Sequence, residues 1–250
     1  MILYFSATGN SKYVAERIAK VCHDSIQSIE KRKDPIRLAQ GECFGIVTPT
    51  YCWQLPILMR NFLKNMQYSA EGDHYIFLVA TYGSTPGFIG EDTKRLLAAK
   101  EIVLDASFSI KMPDTWTPIF DLSNPVKVAQ QNRKAEKNIL DVLERIKAGE
   151  KGNQTERKQP YAMHVIMDPL YHTQRQTKNF YVEDVCMGCS LCSHNCPMQA
   201  IQMENNRPVW VKNQCAACLR CLHYCPQFAI QYGTGKTKIH GQYRNPNTNG

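Results

Sequence analysis

The chain has 250 residues, 43% hydrophobic and 21% charged, which suffices for one large domain or two small ones and excludes a disordered chain. Its net charge of +8 divides as +3 over 1–149, +2 over 150–180, zero over 181–230 and +3 over 231–250. No basic stripe interleaved with aromatics accompanies that charge, no secretory signal opens the sequence, and no apolar run approaches the roughly eighteen residues of a membrane span. The expectation is a cytoplasmic chain with no nucleic-acid partner and no membrane span.

The sequence opens MILYFSATGNSKYVAERIAK. Met1–Phe5 reads as an apolar strand and Ser6–Ser11 as a small, hydroxyl-rich loop. A helix over Tyr13–Lys20 follows, with Val14, Ile18 and then Val21 at helical spacing. Such a loop before a helix suits an anion, because backbone N–H groups converge there and the helix dipole favours phosphate. Gly9 allows close backbone approach, and Ser6, Thr8 and Ser11 can donate to a phosphate monoester. No lysine holds the P-loop position, which disfavours a nucleoside triphosphate. On this loop alone, an ordinary capped helix remains the alternative.

The alternation continues with a strand at 25–30, a strand and aromatic loop at 43–53, and a helix at 55–66 with proline in its first turn. A strand from residue 74 ends in a Gly-rich loop, followed by a helix over Ile89–Lys100, a strand over Ile102–Ile110 and an amphipathic helix over Val126–Ala148. Five strands alternating with helices predict a doubly wound parallel α/β sheet over 1–149. Its ligand belongs at the carboxyl ends of the strands, where loops 6–11, 48–54 and 81–87 meet. The segment KMPDTWTPI, from Lys111, lies on the same side.

These loops resemble those of flavodoxins, whose first loop, T/S-x-T-G-x-T/S, holds the FMN phosphate. Here it reads Ser6-Ala7-Thr8-Gly9-Asn10-Ser11. The resemblance implies FMN contacts from Ser6, Thr8, Gly9, Asn10 and Ser11, and a flavin ring between the second and third loops. Pro49, Thr50, Tyr51 and Trp53 would supply one side, and Thr81, Tyr82, Gly83 and Ser84 the other. Cys52 reads as a spacer between two aromatics. Typical flavodoxins are strongly acidic, whereas this segment is +3.

Residues 150–180 are polar and basic, but YAMHVIM and PLYH suggest an ordered connector that docks the two parts. Beyond it, eight of the eleven cysteines lie between Cys186 and Cys225, while Cys22, Cys43 and Cys52 are scattered. That clustering points to a site rather than a disulfide framework. CMGCSLCSHNCP from Cys186 and CAACLRCLHYCP from Cys215 align at an offset of 29, with nine of seventeen positions identical through residue 202. The duplication predicts approximate twofold symmetry in a small α+β unit over 181–232.

C-x2-C-x2-C-x3-C-P is the bacterial ferredoxin spacing. Three closely spaced thiolates can wrap three corners of a cubane, and the fourth, ahead of a proline, points to the other cluster. One 4Fe-4S cluster would take Cys186, Cys189, Cys192 and Cys225, and a second Cys215, Cys218, Cys221 and Cys196. Structural zinc wants two C-x2-C knuckles, and each run here has one thiol too many. His194 and His223 repeat symmetrically and read as helix-surface residues. GTGKT at 233–237 lacks the first glycine of a Walker motif, so 233–250 reads as a basic surface tail.

The order of the parts resembles the flavodoxin–ferredoxin fusion proteins of anaerobic bacteria. The resemblance implies an electron-transfer protein carrying FMN and two 4Fe-4S clusters, its basic flanks neutralising the cofactors and steering an acidic redox partner. The other reading is an FMN-dependent reductase of a small substrate, fed through the clusters. Tyr82, Tyr51, Asp114 and Thr115 are candidate proton donors for it, although they form no recognisable catalytic set.

Overall fold

The computed structural model describes residues 1–155 and 160–248. In chain order the first part comprises β1 (Ile2–Tyr4), α1 (Asn10–Cys22), β2 (Ile26–Ser28), β3 (Ile36–Leu38), β4 (Cys43–Pro49), α2 (Ile57–Asn65), β5 (Tyr68–Ala70), β6 (Tyr75–Tyr82), α3 (Ile89–Ala98), β7 (Ala106–Lys111), α4 (Pro125–Lys147) and β8 (Gly152–Asn153). A six-stranded sheet runs in the order β2-β1-β4-β6-β7-β8 with every pairing parallel. This is the doubly wound α/β sheet the alternation predicts, with one strand more than the five expected. The sixth strand has two residues and falls within the segment read as a connector, too short to leave a period-2 signal. A separate two-stranded piece, β3 with β5, flanks the sheet.

The core lies on both faces because successive strand residues point to opposite sides. Ile2, Val47, Phe77, Val79 and Phe108 pack with Val14 and Ile18 of α1 and Ile139 and Val142 of α4. Leu3, Phe44, Ile46, Leu78 and Ala80 pack with Met59 and Leu63 of α2 and Ile89 and Leu97 of α3.

The second part holds α5 (His164–Gln174), β9 (Phe180–Val182), α6 (Leu191–His194), β10 (Ile201–Glu204), β11 (Arg207–Trp210), α7 (Arg220–His223), β12 (Ile230–Tyr232) and α8 (Lys236–His240). β9 pairs antiparallel with β12, and β10 with β11. The twofold repeat reaches the backbone. Gly188 and Ala217, Ser190 and Leu219, and Gln199 and Phe228 are equivalent pairs, and all six take left-handed φ between 49° and 69°. Helix α5 eluded the periodicity because Pro169 interrupts it and Val165 and Ile166 face outward. Residues 156–159 of the expected connector and 249–250 of the expected tail lie outside the described residues. No helix among the described residues is long and apolar enough to cross a membrane.

Candidate functional site: a flavin pocket walled by a cysteine cluster

A cavity of about 400 Å³ opens at the carboxyl ends of β1, β4, β6 and β7, within the size range of small-molecule and cofactor sites. Ser6, Thr8, Asn10, Ser11, Pro49, Thr50, Tyr51, Trp53, Thr81, Tyr82, Gly83 and Ser84 all line it. Gly9 stands just behind, at φ 97°, where it caps α1 and donates its N–H to Ser6 Oγ at 3.1 Å. The loops brace one another. Ser11 Oγ lies 2.8 Å from Thr81 Oγ1 across the cavity floor, and Thr50 N donates to Thr81 O at 2.8 Å. Cys52 and Trp53 both hold left-handed φ, 48° and 66°. That uncommon turn brings Trp53 against Phe88, with ring centroids 6.2 Å apart. Burial pushes the Cys52 thiol up to about 11, which keeps it neutral, as befits a spacer. Tyr51 retains some exposed surface, but that surface faces the pocket, so burial drives its phenol well above the ordinary value.

Asp114 forms part of the wall. Its Oδ1 accepts from Trp116 N at 3.1 Å, and Ser84 N–H also bonds the carboxyl. Burial nevertheless raises its pKa to about 6. A Cβ on Gly83 would lie 2.2 Å from this side chain, so only glycine fits there. Tyr51, Tyr82 and Thr115, the other candidate proton donors, also line the cavity.

The residues suit FMN. Thr50 Oγ1 and Tyr82 OH are buried without a hydrogen-bond partner among the described residues, and both line the cavity. Orphaned buried hydroxyls are costly, and the polar rim of a flavin offers them partners. The hydroxyl-rich loop at the start of α1 stands beside them, where it would hold an anionic phosphate.

Two further walls escaped the sequence reading. Met167, Leu170, Tyr171 and Gln174 of α5 cover one side, with Tyr171 OH accepting from Ile57 N at 3.0 Å. The apolar residues in an otherwise polar connector were the signal for this docking. Ala217 and Cys218, from the second cysteine run, close another side. No local pattern could foretell that contact, which joins segments over a hundred residues apart.

Among the cysteines, Cys186, Cys189, Cys192 and Cys225 ring one small cavity. Cys196 lies beside Cys215, Cys218 and Cys221. Each run therefore contributes three thiols to one group and its fourth to the other. Among the described residues no three His, Cys, Asp or Glu side chains converge on a single-ion point, and the first group encloses a small cavity. Ala200 N and Ala229 N, equivalent in the repeat, bond Cys196 Sγ and Cys225 Sγ at 3.3 and 3.2 Å, and Ala217 N bonds Cys215 Sγ at 3.3 Å. Burial pushes the Cys192 thiol up to about 11 and Cys215 to about 12. Buried thiols of this kind become thiolates through coordination.

The repeats differ in what surrounds them. Arg220 occupies the position of exposed Leu191. It pairs with both Glu30 oxygens at 2.6 and 2.7 Å and donates to Ser6 O at 2.6 Å and to Asn195 O at 3.1 Å. It thus ties the second run to the first loop. His194 is exposed as expected, but His223 is wholly buried. His223 Nε2 donates to Thr115 O at 2.9 Å and Nδ1 accepts from Tyr243 N at 3.1 Å, and burial lowers its pKa to about 4, so it is neutral. Periodicity alone could not separate the two histidines, because a repeat encodes equivalent positions and not equivalent neighbours. Nor is the stretch after residue 233 a surface tail. It forms α8 and returns to the first part, burying Thr237, Tyr243 and Asn245. Its polar composition concealed this because side-chain and backbone hydrogen bonds do most of the packing.

No protein of curated function matches the chain. A family model described as "Flavodoxin domain" matches residues 1–100, and one described as "4Fe-4S dicluster domain" matches 185–230. The chain thus carries a flavodoxin domain followed by a 4Fe-4S dicluster ferredoxin domain, the order of a flavodoxin–ferredoxin fusion, and the two domains together support an electron-transfer iron–sulfur flavoprotein.

Proposed function

We propose that this electron-transfer iron–sulfur flavoprotein passes single electrons from a low-potential donor through two 4Fe-4S clusters in series to FMN, and from there to a redox partner. A 4Fe-4S cluster takes one electron and FMN one or two. Cys186, Cys189, Cys192 and Cys225 hold the outer cluster; Cys215, Cys218, Cys221 and Cys196 hold the inner one. One observation carries the reading: Cys218, an inner ligand, is part of the flavin pocket wall. The outer group favours entry from solution, since Cys189 is exposed and Met187 beside it is 63% exposed.

Within this scheme the first loop and the first turn of α1 bind the FMN phosphate, and Tyr51, Trp53 and Tyr82 flank the ring. Helix α5 excludes water from one side. The three N–H bonds to Cys196, Cys215 and Cys225 stabilise negative charge on sulfur and raise the cluster potentials. A second reading, reduction of a small substrate at the flavin, is favoured by Asp114. A buried carboxyl with a pKa near 6 can hold a proton beside the ring near neutral pH.

An anaerobic titration of the holoprotein with a one-electron reductant tests this, followed by absorbance and paramagnetic resonance, with iron counted. The expected result is about eight irons per chain and a flavin reduced in two separate one-electron steps. About four irons would sink the paired clusters. A flavin that takes both electrons together would favour the reductase, and no flavin signal would sink both readings.

A further inference from the structure

Residues 241–248 contribute no wall to the flavin pocket, yet they are fastened to its first loop and to the inner cysteine run. Asn245 N donates to Thr8 O at 2.8 Å. Tyr243 OH and Asn245 Nδ2 meet Asn10 Oδ1 at 2.8 and 3.0 Å, while Asn10 Nδ2 donates to Pro113 O at 3.3 Å. Three hydrogen bonds therefore hold the Asn10 carboxamide in place, its oxygen taken by Tyr243 and Asn245 and one of its N–H groups by Pro113 O. Asn10 also presents its backbone N–H, one of the first-turn donors that lack an intrahelical partner. On the outer side of the loop, a Cβ on Gly9 would come within 2.5 Å of Thr248 Oγ1 and 2.9 Å of Asn245 Cβ. The segment fills the space that the glycine leaves.

The other end of the segment is fixed as firmly. Gln242 Nε2 donates to Leu222 O at 2.7 Å and Cys225 O at 2.8 Å, and Tyr243 N donates to His223 Nδ1. His223 in turn bonds Thr115 O in the pocket wall. Arg244 lies over the Tyr224 ring at 4.4 Å. Tyr243 OH also sits 3.0 Å from Asn132 Oδ1 on α4. A hydroxyl has one proton, so it donates to one of these amides and accepts from the other once that amide is turned over.

We infer that residues 242–248 form a strap that sets the geometry of the FMN phosphate loop, with Tyr243 and Asn245 as positioning residues; this rests on the reading that loop 6–11 holds the phosphate. A loop held in its binding geometry spends no binding free energy on becoming ordered. The strap therefore strengthens the phosphate contacts in particular and leaves the ring contacts, made by other loops, as they are.

The test compares FMN with riboflavin, which shares the ring and lacks the phosphate. The full chain, loaded with clusters and stripped of flavin, is titrated with each while flavin fluorescence is followed. The variants are Tyr243→Phe, Asn245→Ala, the double substitution, and a chain lacking 242–248, with cluster absorbance and iron content verifying that each has folded. The double variant is expected to bind FMN about tenfold more weakly, the worth of two ordinary hydrogen bonds, with riboflavin affinity unchanged. The FMN-to-riboflavin ratio should fall further in the chain lacking the segment. If that chain does not fold, the point variants decide alone. A ratio equal to the parent's, whether both ligands weaken or neither does, overturns the strap. A parent chain that binds riboflavin as tightly as FMN overturns the phosphate-loop reading, and the strap falls with it.

Discussion

The two cysteine runs share ligand spacing, a proline, the Ala-Ile-Gln that follows, and three left-handed backbone positions, but they occupy opposite environments. Around the first, Val185, Met187, Leu191 and His194 are exposed. Around the second, Ala216, Ala217, Leu219, Leu222 and His223 are buried. The positions that agree are those that would build a cluster. Several that differ, Leu191 against Arg220 and Ser193 against Leu222, decide which run is docked against the flavodoxin domain. Residues between the cysteines thus give the two copies of one motif different surroundings.

The largest effect should come from splitting the thiol groups. Cys196→Ser should damage the inner cluster, built on Cys215, Cys218 and Cys221, and spare the outer one, while Cys225→Ser should do the reverse. Each variant is expected to lose about half the parent's iron, and paramagnetic resonance would identify the survivor. If Cys196→Ser removed the cluster of its own run, the crossed assignment would be wrong. A smaller effect tests docking. Leu222, fully buried among Leu219, Ile230 and Tyr232, should cost about 2–4 kcal/mol when cut to alanine. Its counterpart Ser193, whose hydroxyl makes one local bond to Ser190 O, should cost about 1 kcal/mol or less. Equal shifts in the unfolding midpoint of the two holoproteins would abolish the contrast.

An effect confined to one pH range concerns Asp114, in the pocket wall next to Thr115, whose carbonyl receives His223. Its pKa rises on folding from 3.8 to about 6 because burial disfavours the carboxylate. The unfolded chain therefore releases this proton first as pH rises. The resulting loss of stability is absent below pH 3.8, grows up to about pH 6 and stays constant above it. Asp114→Asn should relieve it, making the flavin-free protein more stable than the parent above pH 6 by on the order of 3 kcal/mol, with the gain vanishing in acid. A gain independent of pH, in denaturant melts across that range, would show that ionisation is not its source.

Much of the molecule was legible in advance. Strand–helix alternation and apolar periodicity are local signals, and they located β1, β4, β6, α2, α3 and α4 to within a few residues. The flavin loops were legible because a parallel sheet delivers its loops to one edge. Short elements escaped: two-residue β8 leaves no pattern, and α5 is broken by Pro169 and docks through only a few side chains.

By itself the sequence determined the motif spacings and the order of the domains, because thiol spacing, loop composition and periodicity act over a handful of residues. Only the tertiary structure decided which cysteine run lines the pocket and what holds loop 6–11. Those outcomes rest on pairs such as Arg220 with Glu30 and Tyr243 with Asn10, separated by 190 and 233 residues. Hydrogen bonds of that reach leave no local signature, because each partner alone is an ordinary polar residue until the fold brings the two together.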